Sequence, residues 1–323
     1  MEDIFLKNLD DFKLILHIIG YKNEGESIIF LLKEKEEILF SSIIDSYQKD
    51  ELNISLELLD ELYKIKNIDY IFWTHPHEDH STGLEKIIKK FSDKETIFIV
   101  PQDLEYSKKN LNNLEKNILD KMIQSSGKYK FQKTLVNDGG ENLIFERNFL
   151  YNEKRYTLTI KSLSPHSGVI EEIKNNKTKK VNDFSICLQI EIISNQGEKY
   201  SMLLTGDIEN KTIRLMRENA LKEVNFLKIP HHSSMSSDVL TKKIKSYNQN
   251  VKIACTTSYV KGNLPQEEVL EKYLENYQEI IILGKEKEDI EENYGILTLE
   301  GQLKDYKFIY YLDGLYEVYS KEK

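Results

Sequence analysis

Three stretches of this chain repeat one pattern, a short apolar run followed at once by histidine. Asp69-Tyr-Ile-Phe-Trp73 leads into Thr74-His75-Pro76-His77-Glu78-Asp79-His80, Val224 to Ile229 leads into Pro230-His231-His232, and Tyr156 to Leu163 leads into Ser164-Pro165-His166. Six of the seven histidines lie in these three places. Apolar runs of this length read as buried strands, and in sheet-based folds ligands gather beyond the carboxyl ends of strands. Histidines that act together in this way require a fold that brings three distant strand ends to one edge. The seventh, His17, sits inside an apolar strand and reads as a core residue.

The remaining pattern fits that demand. Leu14 to Ile19, Ser27 to Leu32 and Ile38 to Ile44 read as strands, then residues 55–66 place Leu56, Leu58, Leu59, Leu62 and Ile65 at helical spacing. Gly83 to Phe91 predicts a helix, Thr96 to Val100 a strand, and Gln102 to about Ser125 a long amphipathic helix. After a polar, Lys-rich loop over 171–182, Phe184 to Ile192 alternates apolar and polar residues with period two, and Tyr200 to Thr205 returns as its hairpin partner. Helices at 209–221, 238–247 and 266–277 then alternate with strands at 224–229, 251–257 and 279–283, and Tyr294 to Leu299 and Phe308 to Leu312 close the chain as β structure. Strand–helix alternation marks an α/β layer architecture. No Pro/Gly/Ser linker interrupts it, so residues 1–323 read as a single domain of two β/α halves, roughly 1–155 and 156–323.

Composition removes several alternatives. With 40% hydrophobic residues among 323, the chain can bury a core without disulfides or metals, and disorder is excluded. No run of ~18 apolar residues is present to span a membrane, and the start carries no basic stretch followed by an apolar core, so no signal peptide is expected. Cys187 and Cys255 are far apart and unpatterned, which fits a reducing, cytoplasmic setting. The net charge of -9 argues against broad attraction to nucleic acid or anionic lipid.

Chemistry concentrates at the strand ends. Pro76 cannot continue a ladder, so the segment from His75 to His80 is a loop. Neutral imidazoles with a carboxylate suit zinc or manganese. His75 and His77 can point at one ion while Asp79 and His80 serve a second. Leu203-Leu204-Thr205-Gly206-Asp207 is a strand ending in a carboxylate able to bridge two cations, although Asp207 could equally cap the following helix. Adjacent His231 and His232 diverge, so one is a direct ligand and the other orients substrate or a ligand. His166 reads either as a further ligand or as a polar loop residue. Asp45, after Ile43-Ile44, reads as a hydrogen-bond partner of a metal histidine or as a turn starter.

His75-Pro-His77-Glu-Asp79-His80 resembles the H-x-H-x-D-H signature of the metallo-β-lactamase fold superfamily. The nearest likeness is to the soluble hydrolase module of ComEC-type DNA-uptake (competence) proteins. That module's T-H-P-D-A-D-H, L-L-T-G-D and L-K-V-P-H-H-G-S correspond to Thr74 to His80, Leu203 to Asp207 and Leu227 to Ser234. Its N-x-x-S corresponds to Asn182 and Ser185, and its opening V-G-Q-G-D-S loosely to Ile19-Gly20 and Gly25-Glu26-Ser27. Three departures stand out. His77 replaces a common Asp, Ser233 replaces the Gly of H-H-G-S, and Gly262-Asn263-Leu264-Pro265 lacks the His of a later G-H-P.

The resemblance implies a four-layer αββα sandwich with mixed sheets and two divalent ions, Zn2+ or Mn2+, at one edge. It implies His75, His77 and His166 on one ion, Asp79, His80 and one of His231 and His232 on the other, and Asp207 between them. Such a pair of ions turns water into hydroxide near neutral pH, with Asp79 orienting the nucleophile. The expected activity is a phosphodiesterase or nuclease, with nucleic acid or another phosphodiester as substrate and Lys177, Lys179, Lys180 and Ser233 binding it. A hydrolase of a small ester, thioester, lactone or cyclic nucleotide is the alternative, and a non-catalytic metal-stabilised partner protein is a third.

Overall fold

A computed structural model describes residues 3–104, 111–124, 130–137, 139–176, 181–244, 253–288, 290–304 and 307–320. The strands are β1 (Ile4–Phe5), β2 (Phe12–Tyr21), β3 (Glu26–Glu34), β4 (Glu37–Ile44), β5 (Tyr70–Phe72), β6 (Ile97–Pro101), β7 (Lys130–Thr134), β8 (Asn142–Tyr151), β9 (Lys154–Ser162), β10 (Leu188–Ser194), β11 (Lys199–Leu204), β12 (Phe226–Lys228), β13 (Ile253–Thr257), β14 (Glu279–Leu283), β15 (Tyr294–Gln302), β16 (Lys307–Gly314) and β17 (Tyr316–Ser320). The helices are α1 (Ile54–Glu57), α2 (Glu78–Ser81), α3 (Leu84–Phe91), α4 (Asn113–Gln124), α5 (Ser167–Asn176), α6 (Asn210–Leu215), α7 (Val239–Lys243) and α8 (Glu267–Leu274).

The strands form two mixed sheets. One runs β16-β15-β2-β3-β4-β5-β6-β7, the other β1-β8-β9-β10-β11-β12-β13-β14-β17. Each draws on both ends of the chain, because β1 joins the second sheet and β15–β16 completes the first.

The period-two geometry of strands explains the layering. On β2, Leu14, Leu16 and Ile18 face the inter-sheet core with Leu158, Ile160, Ile190, Met202 and Phe226. The alternate residues Ile15 and Ile19 face outward and pack with Ile71 and Trp73 against Leu84, Ile87 and Phe91 of α3 and Ile118 of α4. On the other outer face, Leu203, Leu227, Ala254 and Ile280 pack under Ile213, Leu240, Val269 and Tyr273 of α6, α7 and α8. Three apolar interfaces therefore separate four layers, giving the αββα sandwich of the metallo-β-lactamase fold.

Several expected element boundaries shift. Residues 171–176 continue α5 instead of forming a loop, because Val169, Ile170 and Ile173 bury one face against Phe184. The helix expected at 209–221 ends at Leu215, where Met216 turns extended and a 3-10 turn follows at Glu218–Leu221. The helix expected over 55–66 is the short α1, capped by the Asn53 side chain on the Leu56 amide, running into a π-helical turn at Leu58–Leu62. The helix expected at 238–247 is α7, ending at Lys243, and residues 245–252 lie outside the described region. Within the expected 102–125 helix, α4 begins only at Asn113; residues 105–110 and 125 lie outside the described region. Among the described residues, no helix is long and apolar enough to cross a membrane.

Strand direction sets the functional edge. β4, β5, β6 and β7 are parallel, as are β11, β12, β13 and β14. β9 and β11 are each antiparallel to β10, so β9 points the same way as β11. The loops after β4, β5, β9, β11 and β12 thus carry Asp45, His75 to His80, His166, Asp207 and His231–His232 to strand ends of the same polarity in each sheet. The Ile186 amide donates to the Thr74 carbonyl at 3.0 Å, joining the edges of the two sheets there.

Candidate metal centre

The His75–His80 loop is fixed from beneath. Trp73 donates its indole N–H to Ser81 Oγ at 3.0 Å, and Ser81 Oγ donates to the His77 carbonyl at 2.6 Å. This pins α2, on which Asp79 and His80 are adjacent and buried. Asp207 is set by Gly206, whose φ is +50° and where a Cβ would approach Ser185 Oγ to 2.5 Å. A side chain there would collide with the hydroxyl that receives the Asp207 amide at 2.9 Å.

Three groups of donor atoms converge, each lying within 4.8 Å of one another: Asp79, His80, Asp207 and His232; His75, His77 and Asp207; and Asp45, His75 and His80. Asp207 belongs to the first two and joins them. Tetrahedral zinc, with bonds of about 2.0–2.1 Å, sets neighbouring donor atoms roughly 3.3 Å apart. Here His75 Nε2 is 3.2 Å from His77 Nδ1 and 3.6 Å from Asp207 Oδ2. His80 Nε2 is 3.4 Å from Asp207 Oδ1 and 3.6 Å from Asp79 Oδ2, and His232 Nε2 is 3.2 Å from Asp79 Oδ2.

Hydrogen bonding on the far side of the rings fits the same purpose. Asp45 Oδ2 accepts from His80 Nδ1 at 2.7 Å, which leaves the Nε2 lone pair for the cluster. Asp45 also accepts from the Thr74 amide at 2.7 Å and from the Thr74 hydroxyl. That hydroxyl, having given its proton to a carboxylate, accepts from His75 Nδ1 at 3.0 Å. Among the described residues, His80 Nε2 and Asp207 Oδ1 are buried with no hydrogen-bond partner, facing each other at 3.4 Å. Orphaned buried atoms of this kind cost free energy unless something binds them, so the donor set fits metal ions.

Electrostatics agree. Burial opposes a charge on His80, but Asp207, Asp79 and Asp45 outweigh it and raise its pKa well above the ordinary value. Burial and the neighbouring His80 push His75 well below it. Burial would raise Asp207, yet His80 and His231 hold it well below the usual carboxylate range. A cluster that needs a proton at its centre to balance its carboxylates has an equivalent place for a cation.

The two adjacent histidines separate. His232 is buried and joins the first group, while its ring stacks on Tyr259 with centroids 4.8 Å apart and planes at 12°. His231 keeps 22% of its side chain exposed. It bonds Ser236 Oγ through Nδ1 at 2.8 Å and accepts from the Asn182 amide on Nε2 at 3.3 Å, with Asp207 Oδ2 4.0 Å away. His166 is fully buried after β9 and belongs to none of the three groups. Ser233, expected at the substrate, is fully buried, and its hydroxyl has no hydrogen-bond partner among the described residues. Its place is in the turn, where His231, His232 and Ser233 take φ of +47°, +51° and +63° in succession. Lys177, Lys179 and Lys180 lie outside the described residues, and Lys174 on α5 pairs with Asp103 at 2.6 Å. Tyr259 was not singled out from sequence; its only signal is an aromatic two residues beyond the end of β13.

Residues 30–109 match the model of the metallo-beta-lactamase superfamily. A search of curated proteins finds no match to this chain. Among solved structures, the chain is similar to a diphosphatase from the PhnP family at 12% identity and TM-score 0.40, over 95% of this chain and 97% of that one. It is similar to the metallo-beta-lactamase MIM-1 from Novosphingobium pentaromativorans at 14% identity and TM-score 0.33, over 71% and 82%. It is also similar to the chemotaxis sensor ODP, solved as a peroxy diiron species, at 9% identity and TM-score 0.29, over 82% and 81%.

Proposed function

We propose that this chain, with a metallo-β-lactamase-fold sandwich and a superfamily match over residues 30–109, is a metal-dependent hydrolase that cleaves phosphodiesters. The observation that carries the reading is the convergence of His75, His77, Asp79, His80, Asp207 and His232, with His80 Nε2 and Asp207 Oδ1 left without hydrogen bonds among the described residues. His75, His77 and Asp207 would hold one ion, and Asp79, His80, Asp207 and His232 the second. Bound there, two divalent ions would supply Lewis acidity and an activated water at neutral pH.

The chain's own residues supply the rest. Burial alone would raise the Asp79 pKa, but His80 and His232 hold it well below the usual range, so Asp79 is ionised at neutral pH. It can accept a hydrogen bond from an attacking water and orient it. His231, half turned to solvent and fixed by Ser236 and Asn182, stands where a substrate oxygen can meet it. Burial and the neighbouring Asp79 and Asp207 push the Tyr259 phenol up to about 12, so it remains a hydrogen-bond donor throughout the physiological range.

The phosphodiester class rests on the likeness of Thr74 to His80, Leu203 to Asp207 and Leu227 to Ser234 to the hydrolase module of ComEC-type proteins. Two observations favour the second reading, a small ester, thioester, lactone or cyclic nucleotide. Glu209 lies beside His231 at 3.6 Å, and the chain carries a net charge of -9, which repels a polyanion. A substrate panel in zinc and in manganese decides between them: single- and double-stranded DNA, RNA, a generic phosphodiester, a thioester and a lactone. Turnover of phosphodiesters that Asp79→Ala abolishes is the expected result. Turnover confined to the thioester or lactone overturns the phosphodiester reading.

A further inference from the structure

Beside the centre, a buried ion pair spans the two sheets. Glu26 opens β3 in one sheet and Lys228 ends β12 in the other, 2% and 0% exposed, with Nζ 2.8 Å from Oε2. Burying such a pair costs several kcal/mol per ion before attraction repays it, and apolar residues of the same volume hold sheets together equally well. The position of the pair therefore asks for a reason other than stability.

The hydrogen bonds around it supply one. Thr257, the last residue of β13, donates its hydroxyl to Glu26 Oε2 and lies 2.8 Å from His232 Nδ1. A carboxylate only accepts, so the single hydroxyl proton is committed to Glu26. The Thr257 oxygen can then only accept from His232, and the proton of the neutral ring is fixed on Nδ1. Lys228 Nζ pairs with the same oxygen, Oε2, and keeps the carboxylate ionised: burial would raise the Glu26 pKa, but Lys228 and His80 bring it below the ordinary value. The same device appears at Asp45, Thr74 and His75.

We propose that Glu26, acting through the Thr257 hydroxyl, is a positioning residue for His232, holding the ring with its proton on Thr257 and its Nε2 lone pair turned toward Asp79, His80 and Asp207. Lys228 is the counter-charge that lets Glu26 do so inside the core. The inference rests on the two-ion reading above and assigns a role to the Gly25-Glu26-Ser27 segment that the hydrolytic mechanism leaves unused.

The test is ion affinity in Thr257→Val, which is nearly isosteric and leaves all charges in place, read by chelator competition with Zn2+ on purified full-length protein. Loss of a partner behind a ligand histidine costs roughly 10–100-fold in affinity. The expected result is that loss for one of two ions, an unchanged constant for the other, and recovery in Thr257→Ser. Glu26→Gln combined with Lys228→Met, which removes both charges together, is expected to fold and to lose affinity for the same ion. Thr257→Val binding both ions as tightly as the parent overturns the proposal. So does equal loss in Thr257→Val and Thr257→Ser, or a loss matched by a fall in the melting temperature of the metal-free protein. A parent chain that fails to bind a second ion overturns the two-ion reading instead, and the two failures are thereby separated.

Discussion

The left-handed turn at His231 to Ser233 carries strain that one substitution can measure. Three consecutive residues with side chains hold φ of +47°, +51° and +63°. For an L-residue this region costs roughly 1–2 kcal/mol, whereas glycine enters it freely and instead loses about 0.5–1 kcal/mol through the unfolded chain. Ser233 also buries a hydroxyl with no partner among the described residues, at a cost on the order of 1 kcal/mol. Ser233→Gly removes the strain and the orphaned hydroxyl together, and we expect the metal-free protein to gain about 1–2 kcal/mol. With an unfolding entropy of about 2.1 cal/mol/K per residue over 323 residues, that is roughly 1.5–3 °C in melting temperature. Urea unfolding and calorimetry without metal are the assays, with Ser233→Ala as the control that removes only the hydroxyl. A Ser233→Gly protein less stable than the parent, or one no more stable than Ser233→Ala, refutes the strain argument.

His17 supplies a pH prediction. Burial pushes its pKa down to about 4 from an ordinary 6.5, and the neutral ring is held by Tyr63 at 2.6 Å and Thr298 at 2.8 Å. The unfolded chain binds the proton first, so this contribution is complete above pH 6.5 and is lost as pH falls toward 4, by about 3 kcal/mol. Urea midpoints across that range should fall less steeply in His17→Gln, and parallel profiles would contradict the assignment. Asp45→Asn can turn an amide N–H toward His80 Nδ1 and drive the ring proton onto Nε2, so affinity for one ion should fall roughly 10–100-fold in a cobalt titration; unchanged binding would remove Asp45 from the account. If nucleic acid is the substrate, Lys177→Glu, Lys179→Glu and Lys180→Glu together should depress cleavage of DNA, flatten its salt dependence and spare a small phosphodiester. Equal activity on DNA would leave that segment without a part in binding.

Legibility from sequence followed the range of the interaction. His75, His77, Asp79 and His80 are close in the chain and follow a short apolar run, so their clustering could be read from spacing. Asp207 and the His231–His232 pair could be read because each directly follows an apolar run. The choice between His231 and His232 could not, since it depends on three backbone angles and on Thr257, twenty-five residues later. α5 was missed because Lys174, Asn175 and Asn176 mask the apolar face of Val169, Ile170 and Ile173, which becomes visible only against Phe184. β1, β7 and β17 escaped for a similar reason, while β8 lies between β1 and β9 and its run is broken by Glu146 and Arg147. Strands at sheet edges and ends, such as Lys130–Thr134 and Tyr316–Ser320, have one half-exposed face, and their assignment comes from the partner strand.

We propose that these strand ends hold two divalent ions joined by Asp207. Elemental analysis of the purified chain, equilibrated with zinc or manganese and freed of excess, is the deciding test. Close to two ions per chain are expected, and at most one after Asp79→Ala or His80→Ala. A folded parent chain that retains no ion under either condition would contradict it.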